Sequence, residues 1–140
     1  MSEESHLEAE RELTLQAYEA WNAKDFDTAI ANVDPDIEWT FAGGAQFPGT
    51  DNIYRGHEGV RRFWREFIEP WESIRIEVTD TREAGDTLVV FVNFHGIGAG
   101  SGVELTVPFV HLLSYRNRKL IRLTGYANRD EALEAAGLSE

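Results

Sequence analysis

The stretch YRGHEGVRRFWREFIEP, residues 54–70, decides how the rest of this chain is read. Val60, Phe63, Trp64, Phe67 and Ile68 fall at i, i+3, i+4, i+7 and i+8, while Arg61, Arg62, Arg65, Glu66 and Glu69 take the other side. That spacing predicts an amphipathic helix with an aromatic inner face. Upstream, Ile37, Trp39 and Phe41 alternate with Glu38 and Thr40 at the period of a half-buried strand. Gly43, Gly44, Pro48 and Gly49 punctuate a loop from Ala42 to Asn52 that is placed to close a pocket. Rings brought together from a strand and a helix fill a core or line a pocket, and both need a curved sheet behind them.

Outward from this stretch the pattern stays regular. Residues 3–23 are good helix formers, with Leu13, Ala17, Ala20 and Trp21 on one side. Asp25 offers an N-cap to a short second helix bearing Phe26, Ala29, Ile30 and Val33 on one face, which Pro35 prevents from continuing. Downstream, β-rich runs cover roughly 73–84, 87–96, 103–115 and 120–127, with breaks at Gly85-Asp86, at the glycine-rich segment and at 116–118. They are expected to form an antiparallel meander. Asn128 can cap a last helix with Glu131 at N3, and Gly137 sits where a left-handed C-terminal residue belongs. Helices segregated from a run of strands give an α+β class rather than alternating βαβ units.

The 140 residues suit one domain, 1–140, with a single core. No apolar run approaches the ~18 residues of a membrane helix, and the acidic start MSEESHLEAERE lacks the pattern of an export signal. A cytoplasmic protein with no membrane partner is expected. A formal charge of −12 repels phosphate backbones, so no nucleic acid is expected as a partner. The basic groups Arg55, Arg61, Arg62, Arg65 and Arg116, Arg118, Lys119, Arg122 read as solvated helix and hairpin surfaces. With no cysteine there is no disulfide, no thiolate nucleophile and no Cys-ligated metal.

YEAWNAKDFDTAIANVDPDIEW at 18–39, YRGHEGVRRFW at 54–64, GSGVEL at 100–105 and RLTGYANRDEALEAAGL at 122–138 resemble the NTF2-like superfamily. More particularly they are similar to its SnoaL-like branch of polyketide-cyclase-type and ketosteroid-isomerase-related proteins. The resemblance covers essentially the whole chain and implies an NTF2-like cone: a strongly bent antiparallel sheet wrapped around helices, with an internal apolar pocket. It also implies ligand binding in that cavity and a homodimer through the outer sheet face, where Phe91 and Phe109 are expected.

Ketosteroid isomerases in the superfamily combine a carboxylate base with an oxyanion hole made of a tyrosine and a protonated aspartate. The positions that match are Ala17, Phe41 and Val110, all apolar here, which removes both proton transfer and electrostatic stabilisation. The aspartate, arginine and aspartate expected of epoxide hydrolases with this fold have no evident counterparts. SnoaL-type cyclases are expected to use an inward aspartate or histidine, and the catalytic candidates here are His111, His57, Glu104 and Asn128.

Each has a structural alternative. If Val110 and Leu112 face the cavity, His111 faces the outer surface. His57 opens a helix, Glu104 stands on the rim of a strand, and capping explains Asn128. His95 and Asn93 project from the face opposite Val90, Val92 and Phe94. No HxxxH or comparable spacing exists, so no metal is expected, and GIGAGSG at 96–102 leads into a strand rather than a helix, so no nucleotide cofactor is implied. Expected ligand contacts are Trp39, Phe41, Tyr54, Trp64 and Trp71 as walls, and Val92, Phe94, Val110, Leu112 and Leu123 as floor, with Gly125 and Ala127 leaving room. Phe63 and Phe67 are read as core.

The sequence thus points to a small hydrophobic ligand-binding protein. Acid/base activity of cyclase, isomerase or hydrolase type on a polycyclic or terpenoid-like molecule is one reading; a non-catalytic dimeric binding or carrier module is the other. The residues alone leave enzyme activity open.

Overall fold

A computed structural model describes residues 7–42, 53–98 and 100–138. Helix α1 (Glu8–Asn22) is followed by the short α2 (Phe26–Ala29), whose Asp25 cap accepts a hydrogen bond from the Thr28 backbone N–H at 3.3 Å. Strand β1 (Val33–Ala42) contains Pro35, and a short β2 (Ile53–Arg55), not foreseen from the sequence, leads into α3 (Gly56–Phe63). The amphipathic pattern continues past α3, but Trp64–Ile68 winds as one π-helical turn. The long strands β3 (Trp71–Ala84), β4 (Thr87–Gly98), β5 (Glu104–Arg116) and β6 (Lys119–Tyr126) follow, then α4 (Arg129–Ala136). The expected loop closing the pocket falls on residues 43–52, outside the described residues.

The strands form one sheet in the order β2-β1-β6-β5-β4-β3. The expected meander exists from β3 to β6, but β1 lies parallel to β6, so the sheet is mixed and not purely antiparallel. Ladder irregularities between Val78 and Asp80 and between Ser114 and Tyr115 interrupt the register, as an extra residue in one strand does. The result is an α+β cone, bent and unclosed.

The concave face carries the main core with α1 and α3. Tyr54, Ile37, Leu88 and Val60 are fully buried there. The convex face carries a second, smaller core, in which Val89, Phe91 and Val110 lie beneath Ala132 and Leu133 of α4. Asn128 Oδ1 accepts from the Glu131 N–H at 3.0 Å, and Gly137 takes φ 79°, so both ends of α4 are capped as expected.

At Gly59 the fold depends on a missing side chain. A Cβ there would stand 2.7 Å from the Tyr54 carbonyl carbon, because α3 lies against β2 at this point. Gly→Ala inside a helix commonly stabilises by up to about 1 kcal/mol. Gly59→Ala is instead expected to destabilise by about 1–3 kcal/mol, since backbone has to move. The urea midpoint of the variant measures the sign.

Candidate functional site

Between α1, α3 and the concave sheet lies a cavity of about 320 Å³, within the usual range of ligand sites, roughly 300–1,000 Å³. Its wall is almost wholly apolar. Trp21 from α1, Trp39 and Phe41 from β1, and Phe63 and Phe67 from the helical segment supply the rings. They pack edge to face and offset: Trp21 and Trp39 at 5.6 Å, Trp39 and Phe63 at 5.4 Å, Phe63 and Phe67 at 5.2 Å between centroids. No aspartate, glutamate, lysine or arginine of the described residues lines it.

Apart from Asn32, whose side-chain amide donates to the Arg118 carbonyl at 2.6 Å, the polar part of the wall is built from two periodicities. On α1, Thr14 and Tyr18 are four residues apart and share a helical face; on β5, His111 and Tyr115 are four apart and share a strand face. They meet in pairs, Tyr18 Oη with His111 Nδ1 at 2.6 Å and the Thr14 hydroxyl with the Tyr115 hydroxyl. Burial pushes the Tyr18 hydroxyl well above its ordinary value, helped by Tyr115 nearby. Burial likewise takes the Tyr115 hydroxyl up to about 12. With no anion beside it, desolvation lowers His111 to about 4. The imidazole is therefore neutral at physiological pH, and the surface it keeps open is cavity wall.

His111 thus faces inward, contrary to the phase that puts Val110 and Leu112 in the cavity. Those two lie on the convex face, Val110 buried and Leu112 packed against the core under α4. Phe91 is under α4 as well, with the Arg129 guanidinium 4.4 Å from its ring centroid. Phe109 lines the cavity, so neither phenylalanine is available on the outer sheet face. Asn93 and His95 do lie on the face opposite Val90, Val92 and Phe94. His95 there hydrogen-bonds Glu77 at 3.0 Å and Thr106 at 3.1 Å, and its bond holds the Glu77 carboxyl below its ordinary value.

The other candidates separate. Trp39, Phe41, Trp71, Val92, Phe94 and Leu123 line the cavity. Tyr54 and Trp64, read as walls, are core: Tyr54 is fully buried, and Trp64 is wedged between Trp21 and Phe26. Phe63 and Phe67, read as core, are walls. Ala127 packs against the core without lining the cavity. His57 donates from Nε2 to the Val33 carbonyl at 2.7 Å, tying α3 to β1. Glu104 is exposed at the start of β5, and Asn128 is spent on its cap. Tyr18, Thr14 and Tyr115 were not singled out from the sequence; the i, i+4 spacing on each element was the available signal.

Gly125 shapes the space beside His111. It is paired with Phe41 on β1 and with His111 on β5, and a Cβ there would stand 2.8 Å from the Phe41 ring and 3.6 Å from His111 Cδ2. Gly125→Ala is expected to cost about 1–3 kcal/mol through overpacking and to drive the Phe41 ring into the cavity. Weaker ligand-induced stabilisation than in the parent protein checks the second effect.

No group of three or more His, Asp or Glu among the described residues is arranged to hold a metal. No helix among them is long and apolar enough to cross a membrane.

A family model described as SnoaL-like domain matches residues 15–123. A search of curated proteins finds no match. Among solved structures, TerC co-crystallised with polyporic acid is similar at 23% identity and TM-score 0.74, covering 92% of this chain and 98% of that one. An NTF2-like protein from Burkholderia pseudomallei K96243 is similar at 22% identity and TM-score 0.74, covering 90% and 95%. A protein with a ketosteroid isomerase-like fold from Catenulispora acidiphila DSM 44928, in complex with trimethylamine, is similar at 17% identity and TM-score 0.70, covering 91% and 94%. At these identities the likeness is one of fold.

Proposed function

Because the chain belongs to the SnoaL-like domain family, we propose that it binds a compact hydrophobic small molecule of polycyclic or terpenoid-like shape in the cavity between α1 and the sheet, acting in the cytoplasm. The observation that carries this reading is an apolar, ring-lined cavity with a single imidazole in its wall. Any acid/base step of cyclase, isomerase or hydrolase type falls to His111, backed by Tyr18, because no carboxylate of the described residues reaches the ligand space. The similarity in fold to TerC, co-crystallised with polyporic acid, supports a ligand-binding role without naming the ligand.

The alternative is a non-catalytic dimeric binding or carrier module, favoured by the apolar Ala17 and Phe41 in the cavity wall; Val110, matched with them to the isomerase residues, lies on the convex face and carries no weight here. Its dimer would use the part of the outer sheet around Glu77, His95 and Thr106; a monomer in native mass spectrometry removes that part of the reading.

The test is thermal unfolding with a panel of neutral polycyclic and terpenoid compounds. A ligand at 100 times its Kd stabilises the folded state by about 2.7 kcal/mol, which raises Tm by several degrees. No shift with any compound overturns the ligand-binding reading.

A further inference from the structure

The first residues of β3 break the alternation of their strand. Ile74 and Ile76 pair with Gly96 and Phe94 of β4 and face the concave side, so an unbroken strand would turn Trp71, three residues before Ile74, to the convex side. Instead Trp71 pairs with Gly98 and Ser73 with Ile97, which makes Glu72 an extra residue. This bulge re-aims the Trp71 side chain into the cavity.

Other features hold the ring there. Gly96 leaves the sheet bare beneath it: a Cβ would stand 2.8 Å from Trp71 Cε3 and 2.9 Å from Cζ3. The Phe94 ring meets it edge to face, with centroids 5.5 Å apart. Lys24, at φ 58° in the left-handed region that favours glycine, donates from Nζ to the Trp71 carbonyl at 2.8 Å. Asn22 Nδ2 donates to the Ile76 carbonyl at 3.1 Å, and its Oδ1 accepts from the Ile76 N–H at 2.6 Å. The end of α1 is thus fastened to β3 on either side of the bulge. A bulge, a glycine inside a strand and a left-handed lysine each oppose local preference, and such departures gather where a side chain has work to do.

The ring stands at the end of the cavity that meets solvent. Leu105, paired with Gly96 across β4 and β5, lines the cavity and is 43% exposed. Among the described residues, β5 pairs with β6 only from Val110 onward, so this end lacks the cover that β6 gives farther along. The other end, toward Tyr115, is backed by the buried Ala29 and Val33.

Resting on the ligand-binding reading above, we propose that Trp71 is the specificity-determining residue of this cavity: its indole, laid over Gly96, closes the end beside Leu105 and selects compact ring systems over ring systems that carry a long alkyl chain. The space above Gly96 is what such a chain would need, and the indole already fills it.

The test is calorimetric titration of fluorene and its 2-ethyl, 2-butyl and 2-hexyl derivatives into the full chain, into Trp71→Ala and into Trp71→Leu, with circular dichroism establishing that each variant is folded. Each methylene that enters the cavity should tighten binding roughly 4-fold. In the parent protein the gain is expected to stop before the hexyl compound. In Trp71→Ala it should continue, so that 2-hexylfluorene binds the variant roughly 10-fold or more tightly than it binds the parent, while fluorene itself gains nothing. Trp71→Leu should move the limit in the same direction by less, and it decides the matter if the alanine variant does not fold. Gly96→Ala, which drives the ring off β4, should stop the gain earlier. The same chain-length limit in the parent and in both Trp71 variants, or an uninterrupted gain in the parent, overturns the proposal and leaves the ligand-binding reading standing. Binding of no compound to any of the proteins overturns that reading and this proposal with it.

Discussion

Stability should fall by up to about 3 kcal/mol as pH drops from 6.5 to 4 on account of one imidazole, His111. In the unfolded chain this group titrates near its ordinary 6.5, whereas in the fold desolvation holds it to about 4. Below 6.5 the unfolded state takes up a proton that the folded state refuses, so acid favours unfolding. The contribution is complete above pH 6.5, declines through the interval, and is gone below 4. A displacement of this size corresponds to about 3 kcal/mol at ~1.36 kcal/mol per pKa unit. Asp34 and Glu77 are also held below their ordinary values, Asp34 chiefly by the Asp36 backbone N–H and Glu77 chiefly by His95, and their losses set in at the acid end, from 4.5 downward for Glu77 and from 3.8 downward for Asp34. Urea unfolding of the parent protein and of His111→Gln across the interval separates the effects. The parent is expected to weaken steeply and the variant to be flatter; identical slopes would show that His111 is not the group responsible.

Trp39→Ala should cost about 3–5 kcal/mol, the range for removing a large buried ring. Trp39 is 7% exposed and is held by Trp21 and Phe63, so neither neighbour can collapse into the space without losing its own contacts. The same substitution joins the vacated volume to the cavity. Trp39→Phe should cost less than half as much. It keeps a ring in place and removes an indole N–H that is buried without a hydrogen-bond partner among the described residues, a group whose burial opposes folding by roughly 1–3 kcal/mol. Denaturant midpoints of the two variants check the ratio. A loss under 1 kcal/mol for Trp39→Ala would mean that this wall is far more loosely packed than its contacts indicate.

The helices and strands were legible where burial is one-sided. Residues 56–68 face the core with one stripe, and α4 carries both of its caps in the sequence, so periodicity and capping sufficed. The parallel pairing of β1 with β6 was not legible, because nothing in either strand encodes the direction of its neighbour. The inward phase of β5 was misread for a physical reason. Val107, Phe109, His111, Leu113 and Tyr115 face the cavity, but Val110 and Leu112 are apolar too, since α4 covers the convex face there. A strand buried on both sides loses the alternation that reveals its faces. With the phase reversed, His111 was placed outside and its partner Tyr18 had no reason to stand out. Among the rings, type and spacing could not separate wall from core: Phe63 and Trp64 are adjacent, and only the π-helical turn beginning at Trp64 and the position of Trp21 decide which one reaches the cavity.

The most direct measurement is calorimetric titration of fluorenone into the parent protein and into Ala17→Phe. Ala17 lines the cavity from α1 one residue before Tyr18, so the added ring occupies ligand space. Circular dichroism establishes that the variant is folded. Binding to the parent with stoichiometry near one, and loss of binding in the folded variant, is the expected result. Equal binding to both would place the ligand elsewhere and contradict the claim that this cavity is the working site.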